Sequence, residues 1–175
     1  RKIERNFVNC FLFESLGEES NISRYHILGF DPKYILHSEN NNQLVLENTK
    51  NGDIYKYDCE NPYLKLRDVV PQNIISRKYA GGLVGFISYD SINYFENSLN
   101  IKKNKNFESF KFGVYLDGLI YDQMTGEIFY YYYEDNRIQE ITKILNHSYS
   151  FNKGVKTRFI KDSISKDEHR KTVLK

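Results

Sequence analysis

Gly81-Gly82-Leu83-Val84-Gly85-Phe86-Ile87-Ser88-Tyr89-Asp90 combines glycines, an alternating apolar run and a Tyr-Asp close in one short stretch. Glycine inside a strand costs backbone entropy and leaves nothing to pack, so it is kept where another backbone or a ligand comes close. The segment therefore reads as a tightly packed core strand. It makes a poor phosphate loop, because it lacks the Gly-Lys-Ser/Thr ending that supplies charge and a metal-binding hydroxyl.

Strand signals continue on both sides. Phe7 to Phe13 alternates and runs into a polar stretch through Asn21, and Arg24 to Phe30 is stopped by Asp31-Pro32. Tyr34–His37, Gln43–Glu47 and Ile54–Tyr57 follow, with Asn51-Gly52 as the hairpin turn between the last two. Asn61-Pro62 opens a helix to about Val69, Asn as N-cap and Pro at the first helical position. Ser91 to Glu96 reads as a short helix. Phe112–Tyr121 and Glu127–Glu134 form a hairpin across Gln123–Gly126. Ile138, Ile141, Ile144 and Leu145 repeat at helical spacing, which predicts an amphipathic helix over Asn136–His147. Many hairpin strands with few crossover helices give an α+β fold with mainly antiparallel sheets.

Composition agrees. The chain has 175 residues, enough for one domain with a real core and hardly enough for two. Tyr 15 and Phe 12, against Pro 3 and no Trp, favour sheet over disorder. A net charge of +2 gives no electrostatic case for nucleic acid, and the basic run Lys102–Asn106 reads as a solvated loop. Tyr130–Tyr133 alternates across a strand rather than forming a base-stacking platform. No apolar stretch reaches the roughly 20 residues that span a bilayer. Cys10 and Cys59 form neither a disulfide framework nor a metal spacing, so the default expectation is a reduced, cytoplasmic setting.

Other chemistry is thin. His26, His37, His147 and His169 lie far apart without a metal-binding spacing, and Cys10 reads as a buried strand cysteine. Asp117 and Asp122 are paired carboxylates of the common turn-end kind and read as structural, and so does Asp90 beside Tyr89. Ser165-Lys166-Asp167-Glu168 is a capping box that announces a helix, and only about two turns follow. The expectation is that the chain ends where a new structural unit begins, and that it lacks a few leading residues.

Several segments together resemble the anthranilate synthase component I group of chorismate-utilising enzymes. Phe11-Leu12-Phe13-Glu14-Ser15 is similar to that family's F-L-L-E-S, and Arg24 through Pro32 to its R-Y-S-x-x-G-x-D-P. Gly81 through Asp90 resembles its G-G-x-x-G-Y-x-x-Y-D, followed by Y-F-E at Tyr94-Phe95-Glu96, and Ser165 through Val173 resembles the opening of its catalytic domain. Order and spacing agree along the chain. Departures are His26 for the family's serine, Asn93 for its arginine, and Leu99-Asn100 where a proline usually stands. The first bears on an effector pocket and the others on a surface loop.

The resemblance implies a regulatory N-terminal domain over residues 1–162 and the truncated start of a chorismate-binding catalytic domain over 163–175. It implies that the full-length enzyme, a lyase, makes anthranilate and pyruvate from chorismate and ammonia in tryptophan biosynthesis. The ammonia comes from a glutamine amidotransferase partner. Mg2+ is held by residues outside this chain, so the chain alone is inactive and binds no metal. Catalytic residues are likewise absent here. The implied site is for the feedback inhibitor tryptophan: Ser15 with Glu14 beside it, and Arg24 and Tyr25 on the neighbouring strand. Leu12 or Phe13 would face the indole, while Glu14 and Ser15 take the head group. Two alternatives stay open. One is the same domain of aminodeoxychorismate synthase component I, in folate synthesis. The other is a binding domain without chemistry.

Overall fold

The computed structural model describes residues 1–15, 23–39, 42–70, 81–96, 98–99, 101–102, 107–148 and 164–174. Among them, every strand pairing is antiparallel and the strands fall into two sheets, so the fold class is α+β as expected. The four-stranded sheet has the order β1 (Cys10–Phe13), β2 (Tyr25–Phe30), β8 (Asp117–Asp122), β9 (Glu127–Tyr132). The five-stranded sheet runs β5 (Ile54–Asp58), β4 (Gln43–Asn48), β3 (Tyr34–Glu39), β7 (Phe110–Tyr115), β6 (Gly82–Ile87). Helices are α1 (Pro62–Val69), α2 (Ile138–Asn146) and α3 (Lys166–Val173).

Each sheet has its own apolar cluster. On the five-stranded sheet, Leu36, Leu44, Leu46, Phe110 and Val114 meet Leu66 of α1. On the four-stranded sheet, Phe30 and Leu119 meet Ile141 of α2 and Ile3 of the N-terminal segment. Phe30, Leu36, Leu44, Phe110 and Ile141 are fully buried, each side chain stabilising the fold by roughly 1.5–3 kcal/mol. Asn61 caps α1 by accepting from the backbone N–H of Tyr63 and Leu64, with Pro62 at the first helical position. The capping box of α3 is present in full: Ser165 accepts from Glu168 N–H, and the Glu168 carboxylate accepts from Ser165 N–H. No residue of α3 is buried.

The opening decapeptide forms the strand β6, but not a core strand: β6 lies at the edge of its sheet, none of its residues is buried, and Phe86 and Ile87 are exposed, so only the close approach of its glycines to β7 matches the expectation. Gly81 adopts φ +88, and a Cβ there would stand 2.3 Å from the Tyr115 carbonyl oxygen. At Gly85 a Cβ would lie 1.9 Å from the Lys111 carbonyl oxygen on the paired strand. The Tyr-Asp close is structural: Asp90 is 7% exposed and accepts from the Ser88 hydroxyl, while Ser88 and Ser91 both donate to the Ser109 carbonyl.

Three element boundaries are also corrected. Phe112–Tyr121 is not one strand. It divides at Leu116 into β7 and β8, which belong to different sheets. Val114-Tyr115-Leu116 runs apolar up to the break, which falls at Asp117-Gly118, a pair that the hairpin reading carried through as strand. The short helix expected over Ser91–Glu96 is present but starts earlier: it is a 3₁₀ helix over Tyr89–Tyr94, closed by Phe95 N–H to Ile92 O at 2.9 Å. The first strand begins at Cys10, because residues 3–7 turn on themselves through Asn6 and Phe7 N–H donating to the Ile3 carbonyl. Of the basic run, residues 103–106 lie outside the described residues.

Candidate functional site

The sequence-predicted residues converge where β1, β2 and β8 end together. β1 and β2 pair with Phe13 opposite Ile27, and β2 and β8 pair with Tyr25 opposite Asp122. Alternation then puts Phe13, Tyr25, Ile27, Ile120 and Asp122 on one face of the sheet. Leu12, His26, Leu28 and Tyr121 share the opposite face, the one α2 covers farther along. Of the two residues considered for a ring-binding wall, Phe13 is the one beside Tyr25. It is 51% exposed and its ring lies 4.7 Å from that of Phe11.

Ser15 follows β1 and donates its hydroxyl to the Tyr25 carbonyl at 3.2 Å, which ties the end of β1 to the start of β2. Glu14 is exposed and, among the described residues, has no ion pair. Arg24 is engaged differently. Its Nε donates to both Asp122 carboxylate oxygens at 2.9 Å and its Nη2 to Oδ2 at 2.5 Å, a fork that fixes the plane of the guanidinium. The Arg24 Cζ sits 5.1 Å from the centroid of the Tyr25 ring. Asp122 is 2% exposed and also accepts from Met124 N–H at 3.0 Å, while Gln123 N–H donates to the Arg24 carbonyl at 2.9 Å. The Arg24 bonds are the main reason the Asp122 carboxyl lies below its usual pKa, and the same bonds raise that of Arg24. The site thus presents one anionic side chain, a hydroxyl, two aromatic rings and a guanidinium already neutralised by its partner.

His26 faces away from this cluster, with Nε2 2.9 Å from the Gln123 side-chain oxygen and its ring 5.7 Å from that of Tyr121. Asn93 exchanges two hydrogen bonds with the backbone of Ile101, at 2.8 and 3.0 Å, and so holds the loop after the 3₁₀ turn.

A second polar cluster lies at the other end of β2. Arg137, just before α2, donates from Nε and Nη2 to Asp117 at 3.0 and 2.7 Å and from Nη1 to Asp31 at 2.6 Å. Its guanidinium lies 5.5 Å from the ring centroids of both Phe7 and Phe30. Burial works against its charge, but the two carboxylates outweigh this and its pKa is raised. Tyr130 donates its hydroxyl to Asp117 at 2.8 Å, and burial pushes its phenol up to about 12. Asp117 and Asp122 therefore act as buried structural anions. A cleft of about 650 Å³ between Phe7 and the first turn of α2 adjoins Arg137 and is remote from Ser15.

Sequence reasoning missed the partners of Arg24 and Arg137. Arg24 and Asp122 are 98 residues apart and Arg137 and Asp31 are 106 apart, so their pairing appears only once the strand order is known. Among the described residues no group of three His, Cys, Asp or Glu side chains is placed to hold a metal ion. No helix among them is long and apolar enough to cross a membrane.

No family model matches the chain. It is similar to anthranilate synthase component 1 of Leptospira biflexa, 39% identical over 176 residues, covering 99% of this chain and 37% of that protein. Anthranilate synthase component 1 of Methanothermobacter thermautotrophicus is 34% identical over 145 residues, 83% of this chain and 30% of that protein. The chain thus spans about a third of the length of these curated relatives. Among solved structures it resembles anthranilate synthase component I from Streptococcus pneumoniae TIGR4, with a TM-score of 0.51 and 23% identity, covering 74% of this chain and 30% of that one. At that identity the likeness shows the fold alone.

Proposed function

The chain belongs to the anthranilate synthase component I family, and from that premise we propose that it is the N-terminal, tryptophan-sensing part of an enzyme of tryptophan biosynthesis. The whole protein converts chorismate and glutamine-derived ammonia to anthranilate and pyruvate. The observation that carries the reading is the relationship to anthranilate synthase component 1 along 99% of the chain. Residues 1–162 are the regulatory unit, and the capped helix α3 opens the catalytic one over 163–175. Chemistry, Mg2+ ligation and the contact with a glutamine amidotransferase belong to the portion of the relatives' length that this chain does not span, so the chain alone does not turn over chorismate. The enzyme is cytoplasmic.

The effector site is the open end of β1 and β2. Glu14 is exposed and meets the ammonium group of tryptophan, Ser15 offers a hydroxyl beside it, and Phe13 and Tyr25 supply apolar surface on one face. Arg24 stands next to Tyr25. Inhibition follows if tryptophan prefers one arrangement of this unit against its catalytic partner. By linkage, chorismate then weakens tryptophan by the same factor.

The test is the product formed from chorismate and ammonium by the protein at the length of its relatives, with and without tryptophan. Anthranilate formation suppressed by tryptophan, with sensitivity lost in Ser15→Phe, is the expected result. Aminodeoxychorismate formed without regard to tryptophan would assign the chain to folate synthesis and refute the reading.

A further inference from the structure

The geometry points to Asp122 as a positioning residue of the effector site. It acts through Arg24 to hold the β2 end of that site, and this inference rests on the tryptophan-sensing reading. Asp122 touches no ligand position: it is 2% exposed, and its two carboxylate oxygens are taken up by Arg24 and by the Met124 backbone N–H. What it fixes is the mouth of the sheet. Past the last β2–β8 pair, Tyr25 opposite Asp122, Gln123 N–H donates to the Arg24 carbonyl and extends the ladder. The Arg24 side chain then folds back to Asp122, so residues 24 and 25 are tied to β8 through both backbone and side chain. From Tyr25 the constraint passes in two directions: to Ser15, whose hydroxyl donates to the Tyr25 carbonyl, and to the Tyr25 ring, over which the guanidinium lies.

This changes the reading of Arg24. A guanidinium held bidentate by a buried carboxylate has spent its planar fork, so it serves as a clamp between strand and ring and not as the receptor for an amino-acid carboxylate. Removing the Asp122 charge frees the guanidinium to swing away from Tyr25, and the Ser15 anchor then sits on a loosened strand end. Recognition within the site depends on placement to a fraction of an ångström, whereas catalysis elsewhere in the protein does not pass through this strand end.

The experiment is inhibition of anthranilate formation by tryptophan in the protein at the length of its relatives, comparing wild type, Asp122→Asn and the double variant Arg24→Met/Asp122→Asn. The wild type is expected to be inhibited. Asp122→Asn should raise the half-inhibitory tryptophan concentration by about ten-fold or more, within the range of ordinary allosteric couplings, while the uninhibited kcat/KM for chorismate stays within about two-fold. The double variant removes both partners of the pair, so its folding does not depend on where a released guanidinium settles, and it should show the same loss of sensitivity. A sensitive wild type with unchanged sensitivity in whichever variant folds overturns the positioning role alone, even if thermal stability falls. An insensitive wild type overturns the tryptophan-sensing reading, and the role of Asp122 with it.

Discussion

Arg137→Met should be among the most destabilising single changes in the four-stranded half of the molecule. The side chain closes β2, β8 and α2 together through Asp31 and Asp117. Asp117 is 8% exposed at its side chain and Asp31 35%, so the two pairs are not equal. Removing one partner of a buried pair costs about 3–5 kcal/mol, because the other charge is left desolvated. Tyr130 still donates to Asp117 in the variant, which argues for the lower end, about 3 kcal/mol. The half-exposed Asp31 pair adds about 0–1 kcal/mol. Methionine keeps an apolar stem against Phe7 and Phe30, so little packing is lost. At roughly 2–4 °C per kcal/mol for a chain of this size, the melting temperature should fall by about 6–16 °C. Circular dichroism at neutral pH measures this directly. The Asp117→Asn/Arg137→Met double variant should recover part of the loss, with a coupling of about 1–3 kcal/mol in the double-mutant cycle. A single variant within about 1 kcal/mol of wild type, or strictly additive losses, would refute the view of Asp117 as a buried anion that needs Arg137.

Ile141→Ala empties a fully buried position of α2 and should cost about 2–5 kcal/mol, seen as a lower urea midpoint without a change in slope. Gly118→Ala would drive a methyl group to 2.5 Å from both the Leu28 carbonyl oxygen and the Tyr131 hydroxyl, so the sheet must shift. A loss of about 1–3 kcal/mol is expected there, and an undiminished melting temperature would count against that packing. Burial raises the Tyr130 phenol from 10.0 to about 12, so it binds its proton more tightly folded than unfolded. Its contribution is complete below pH 10.0 and is lost as pH rises to about 12, and Tyr130→Phe should flatten stability across that window.

Much of the architecture was legible because local chemistry and tertiary structure agree in it. Asn61-Pro62, Asn51-Gly52 and Ser165–Glu168 each carry their own stop or start signal, and each does in the fold what its side chains dictate. The segment around Leu116 carries Asp117-Gly118, a pair that usually marks a turn, but here the pair opens β8, and what separates β7 from β8 is the change of sheet, a fact about partners far away in sequence. The candidate site divides in the same way. Ser15, Arg24 and Tyr25 were found through short motifs, and the structure brings them to one strand end with Glu14. Asp122 had only the ordinary look of a turn-end acid, because its identity as the partner of Arg24 depends on β2 pairing with β8.

The single residue between β7 and β8 has a mechanical consequence. Leu116 leaves no slack: a slip of β7 along β3 and β6 would drag β8 along β2 by the same step, and each step turns side chains to the wrong face. The two sheets are therefore expected to melt together and not as separate modules. Slow amide protons of both should exchange at one common rate under native conditions, with Leu116 as the shared axle.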